Sequence, residues 1–221
     1  MKHYLKIFTI LIVSYLNSNA LLSQYKFGIQ GGAGVSNYAG RDFPKDHDPK
    51  FGLTAGLFFE REINLTLSFG FDLNYDQKGT FYNDYPNEST IVAVDSRFTY
   101  LNLPAYLKAY FGKKAIFYLY TGISGSRLLN KTYSVKTTEN GFKIPSKPFF
   151  SYTYNQWDAA LVGGFGINIY KIILDIRYNY GLVNVYEGHN APVMRNSFIS
   201  ATLGYTLYKK KVLSCFNNRA Y

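Results

Sequence analysis

The chain has 221 residues, a length that suits one all-β domain, and 19% of them are aromatic, including 22 Tyr and 18 Phe. Its one cysteine, Cys215, excludes an intrachain disulfide framework, and no cysteine stands where a lipoprotein anchor would need it. The formal net charge of +10 is concentrated at 127–147 and in the C-terminal tail, which in a secreted chain points to acidic partners or lipid phosphates and away from nucleic acid.

Lys2 and Lys6 precede an apolar run, Ile7 to Leu16, and then Ser18-Asn19-Ala20. This is the layout of a cleaved signal peptide over 1–20, with Ser23 as an alternative cleavage point. The apolar run is too short for a spanning helix, and no later stretch is long enough. If the chain crosses a membrane, strands must do it.

Eight strands follow within 25–208, each with large apolar residues on one parity. The first, Lys26 to Tyr38, turns Phe27, Ile29, Ala33 and Val35 outward against Gly28, Gln30, Gly32 and Gly34. The second, Phe51 to Glu60, sets Leu53, Leu57 and Phe59 against Thr54, Phe58 and Glu60. The third, from residue 65 to about Lys78, includes Phe69, Phe71, Leu73 and Tyr75, with Asp72 and Asn74 opposite. The fourth, Phe98 to Phe111, sets Leu101, Leu103 and Leu107 against Tyr100, Asn102, Tyr106 and Lys108. The fifth, Ile116 to about Leu128, turns Phe117, Leu119 and Ile123 outward. The sixth, Trp157 to Ile169, does so with Leu161, Phe165 and Ile167. The seventh, Ile172 to about Val183, sets Leu174, Ile176 and Tyr178 against Asp175, Arg177 and Asn179. The eighth, Ser197 to Tyr208, sets Ile199, Leu203 and Tyr205 against Ser200, Thr202 and Thr206. Residues 209–221 form a basic C-terminal tail.

The links alternate in length. Short ones fall near 61–64, 112–114 and 170–171, long ones near 39–50, 79–97, 129–156 and 184–196. Short turns at one end and long loops at the other predict an eight-stranded antiparallel up-and-down transmembrane β-barrel of the outer membrane. A soluble barrel also alternates, but its polar face meets water. Here the face opposite the apolar stripe is rich in Gly, Ser, Thr and Asn and poor in Lys and Glu, which suits a lumen.

A barrel of this size is filled by its own side chains, so no wide pore is expected. Glu60, Asp72, Lys108, Asp158, Asp175 and Arg177 fall on the lumen parity. Buried charges are costly alone, so a structural network of ion pairs and hydrogen bonds is predicted among them. Lys131, Tyr133, Lys136, Lys143, Phe149 and Tyr152 make the fifth-to-sixth link basic and aromatic, a candidate loop for an envelope or secretion partner, a glycan or lipopolysaccharide. An enzyme is the competing class: a lipid-modifying one would have to use His47, between Asp46 and Asp48, or His189, near Glu187. No catalytic residue, cofactor or metal site is assigned. There is no His pair at metal-ligand spacing, and Gly31-Gly32-Ala33-Gly34 lacks the Lys-Ser/Thr and helix of a phosphate cradle.

Four phrases carry a resemblance: Tyr75-Asp76-Gln77-Lys78-Gly79, Tyr100-Leu101-Asn102-Leu103-Pro104, Trp157-Asp158 with Gly163-Gly164-Phe165-Gly166, and Arg177-Tyr178-Asn179-Tyr180-Gly181-Leu182. Together the chain resembles the Bacteroidetes outer-membrane β-barrel family that includes the secretion protein PorT. The resemblance implies the barrel, the outer membrane and a non-enzymatic structural, binding or type IX secretion role. Asn102 replaces a Glu of the family phrase, and Leu207 stands where such barrels often close on an aromatic residue.

Overall fold

The structure, a computed structural model, describes residues 24–40, 47–64, 66–87, 90–112, 116–139, 142–144, 153–187 and 193–210. The signal segment, His189, Phe149, Tyr152 and the tail from 211 lie outside these residues.

Eight long strands close on themselves. They are β1 (Tyr25–Ala39), β2 (His47–Glu62), β3 (Leu67–Asn87), β4 (Thr90–Phe111), β5 (Phe117–Glu139), β8 (Trp157–Ile169), β9 (Ile172–Gly181) and β11 (Arg195–Lys210). Each pairs antiparallel with its neighbours in chain order, β5 pairs β8, and β1 pairs β11 to seal the cylinder. Three short strands, β6 (Phe142–Ile144), β7 (Thr153–Tyr154) and β10 (Tyr186–Glu187), lie on the long-link side. Closure removes every sheet edge from the barrel wall, which a bilayer core requires.

Side-chain parity sets the wall. Over the ten residues of β9 exposed and buried positions alternate without a break. That is the length a tilted strand needs to cross a bilayer. The exposed set includes Phe51, Leu57, Phe71, Leu107, Leu119, Phe165, Leu174 and Leu203, a continuous apolar outer surface. A soluble monomer would not leave such a surface to water. The buried set is largely polar, the inverse of a soluble core.

The short turns share one end with Tyr25 and Lys210, which pair with each other. Between β2 and β3 the Asn64 Oδ1 accepts from the backbone N–H of Thr66 at 2.9 Å and of Leu67 at 2.8 Å, an Asx-type turn. Gly112 takes a φ of 89° after β4, a left-handed geometry that favours glycine. By the general layout of such barrels, this end is periplasmic.

The opposite end differs from the loops expected there. Much of 79–97 and 129–139 is strand: β4 and β5 stay paired from Phe111↔Phe117 out to Thr90↔Glu139. The β3–β4–β5 sheet therefore runs on past the wall as an arm. β11 also continues through Lys209 and Lys210, which were expected to begin the tail.

Candidate functional site

The lumen is where the strands converge their chemistry. At the periplasmic end Glu60 is fully buried. Its Oε1 accepts from Lys26 Nζ at 3.1 Å, Ser68 Oγ at 2.9 Å and Tyr110 OH at 2.5 Å. Its Oε2 accepts from Lys108 Nζ at 2.9 Å. The Lys108 ammonium also sits 4.2 Å from the Tyr118 ring centroid. Lys26 reaches Glu62 at 3.0 Å, so two cations meet two carboxylates in this knot.

A second knot lies above it. Asp72 Oδ2 accepts from Arg177 Nη2 at 2.6 Å and from Gln30 Nε2 at 3.1 Å, and its Oδ1 from Tyr106 OH at 2.9 Å. Asp175 accepts from Tyr118 OH at 2.9 Å and Tyr120 OH at 2.7 Å. Arg177 Nε donates to Tyr120 OH at 2.9 Å, while its separation from Asp175 is 3.8 Å. Two glycines make room for these rings. A Cβ on Gly70 would lie 2.4 Å from the Tyr106 ring, and one on Gly164 would lie 2.4 Å from the Tyr120 hydroxyl.

Between this knot and the extracellular half is a polar cavity with 10 Å³ open to a water's centre, lined in part by Asn74, Asp76, Arg177, Asn179 and Ser200. That is room for roughly one water. Above it Asp76 accepts from Thr54 Oγ1 at 2.6 Å and Asn102 Nδ2 at 2.8 Å. Lys78 is buried with its ammonium 5.0 Å from the Tyr100 ring centroid. The mouth is covered by Tyr38, Phe98, Tyr100, Val185 and Met194, with Tyr154 and Tyr186 packed against them. Tyr154 and Tyr186 face each other across the small β7–β10 ladder.

The structure thus brings five of the six expected lumen charges into two adjoining knots. Asp158 lies apart: its Oδ2 accepts from Asn196 Nδ2 at 2.9 Å, and its Oδ1 has no hydrogen-bond partner among the described residues. Arg177 is held more closely by Asp72 across the barrel than by Asp175 on its own strand. Sequence reading missed Lys26, Asp76 and Lys78, although each shares the parity of an inward neighbour. It also left the hydroxyls of Tyr106, Tyr118 and Tyr120 out of the network.

The candidate partner loop is divided. Lys131 and Lys136 are exposed on the extended part of β5, and the Lys131 ammonium lies 4.8 Å from the Tyr154 ring centroid. The backbones of Tyr133 and Lys143 belong to β5 and β6. His47 opens β2, its backbone paired with Tyr82. Among the described residues no three His, Cys, Asp or Glu side chains gather to hold a metal.

A closed wall of outward apolar residues around a polar, filled lumen is the geometry of an outer-membrane barrel. The model of a family described as outer membrane protein beta-barrel domain matches residues 17–187. The chain belongs to that family. It is an outer-membrane β-barrel protein. No curated protein matches it in sequence. Among solved structures it is similar to Neisserial surface protein A, at 16% identity over 82% of this chain and 97% of that one, with a TM-score of 0.42. It is similar to Ail, the attachment invasion locus protein of Yersinia pestis, solved with the heparin analogue sucrose octasulfate, at 14% identity over 83% and 99%, TM-score 0.44. It is also similar to OprG from Pseudomonas aeruginosa, at 13% identity over 86% and 95%, TM-score 0.36.

Proposed function

We propose that this outer-membrane barrel is non-enzymatic and serves as a plugged, rigid scaffold that presents the β3–β4–β5 arm to an acidic partner outside the cell. The observation that carries this is the length of β4 and β5, 22 and 23 residues. A tilted spanning strand uses about 9–11. The surplus projects from the extracellular end with Lys131 and Lys136 exposed on it. The two knots fill the lumen below with paired side chains, so binding at the arm fits this barrel better than transport. The phrases shared with the PorT-containing family support a more specific reading, in which the partner belongs to a secretion or envelope-assembly machine.

The test is a pull-down from native outer membrane with the full chain and with a form lacking 132–150. Recovery of secretion or envelope components by the full chain alone supports the reading. Identical recovery by both forms contradicts it. The enzymatic alternative makes a different forecast: a change in lipid composition on expression of the protein that disappears with His47→Ala or His189→Ala.

A further inference from the structure

On the outer wall, at the extracellular end of the lipid-facing surface, Arg127 and Trp157 stand opposite each other across β5 and β8. The guanidinium carbon lies 5.7 Å from the Trp157 ring centroid. Both side chains are exposed, Trp157 by 63%. Arg127 lies on the same outward parity as Phe117, Leu119 and Ile123, and it is the only charged residue on that face of β5 between 117 and 127. A tryptophan at this height marks the interface between hydrocarbon and headgroups. The arginine next to it therefore stands at headgroup level, with its fork pointing at no described acidic side chain within ion-pairing distance.

The wall beneath the pair is indented. Gly125 pairs with Ala159 on β8 and with Leu103 on β4, and a Cβ built on Gly125 would meet nothing within 4 Å. Larger residues border the dent: Leu103, Ile123 and Leu161 are all half or more exposed. The dent is continuous with the lipid-contacting wall, so its natural occupant is an acyl chain. The group above it that would complement a planar guanidinium is a phosphate, which arginine binds through two parallel N–H bonds. Stacking on Trp157 pre-orients that fork.

We propose that Arg127, Trp157 and the Gly125–Ala159 dent form a seat for one outer-leaflet lipid that carries a phosphate monoester, that monoester on Arg127 and an acyl chain against the dent. This seat is on the wall, separate from the arm, and its failure would leave the reading of the arm untouched.

Trp157 is the chain's one tryptophan, so its fluorescence reports the seat directly. The folded protein is placed in phosphatidylcholine vesicles and titrated with diphosphorylated lipid A, with the dephosphorylated form, and with phosphatidylglycerol at equal total charge. A saturable spectral change with the diphosphorylated lipid alone is expected. Arg127→Gln should need about tenfold more lipid for the same change, the loss of one charge-assisted contact. Gly125→Leu, which fills the dent, should weaken the response too, and both variants should keep the wild-type folded band on a gel. An equal response to the dephosphorylated lipid or to phosphatidylglycerol would overturn the proposal. So would an unchanged titration in Arg127→Gln.

Discussion

Arg177 and Asp72 lie 105 positions apart in the sequence and meet inside the barrel at 2.6 Å. Arg177 projects from β9 and Asp72 from β3, so this contact ties the two walls together through the lumen. Both residues are nearly free of solvent. Arg177→Leu therefore leaves a buried carboxylate without its cation. The expected loss is about 3–5 kcal/mol. It would be read as a lower temperature for conversion of the folded to the unfolded band on a heat-modifiability gel. An unchanged midpoint would separate this contact from stability.

Glu60→Gln should act similarly at the periplasmic knot, through Lys108. Lys26 keeps Glu62 at 3.0 Å, whereas Glu60 is the only carboxylate within ion-pairing distance of Lys108 among the described residues. Replacing both members with apolar side chains, Glu60→Leu with Lys108→Met, should cost less than Glu60→Gln alone, because no lone charge stays buried. A chemical-denaturant titration of the three forms in detergent checks the order.

Gly164→Val should disturb the second knot without touching a charge. The added carbons would collide with the Tyr120 hydroxyl, which bridges Arg177 and Asp175. Overpacking of this kind costs about 1–3 kcal/mol. The same gel assay should show a lower conversion temperature, and adding Tyr120→Phe should not restore it, because the new Cβ would still lie 2.5 Å from the ring carbon Cζ and from the Ile176 carbonyl oxygen.

Lys131→Glu with Lys136→Glu should abolish capture of an acidic partner while leaving folding stability within roughly 0.5 kcal/mol of wild type, because both residues are exposed and outside the knots. A pull-down beside a melting curve separates the two outcomes. Loss of barrel stability would place the arm in the folding unit.

The wall was legible because a bilayer imposes contrast. Leu174, Ile176 and Tyr178 must differ from Asp175, Arg177 and Asn179, and that difference is visible at period two. The arm was not legible for the same reason. On the extended part of β5 the exposed Lys131, Thr132, Ser134 and Lys136 are polar on both parities, so the stretch reads as loop. A register shift between Thr99 and Tyr100 further breaks the parity at the point where the arm begins. Within the lumen, parity identified which residues point inward but not which of them meet. Arg177 faces both Asp175 on its own strand and Asp72 across the barrel, and only the stagger of the strands decides between them.

The orientation of the wall can be tested on β11, where inward residues are small. With Cys215 replaced by serine, single cysteines are placed in turn at positions 199, 200, 201, 202, 203, 205, 206 and 207. The folded protein in vesicles is then treated with a maleimide that partitions into the hydrocarbon. Labelling should appear at Ile199, Ala201, Leu203, Tyr205 and Leu207 and be absent at Ser200, Thr202 and Thr206. Uniform labelling, or labelling on the opposite parity, would contradict a barrel whose apolar side faces lipid.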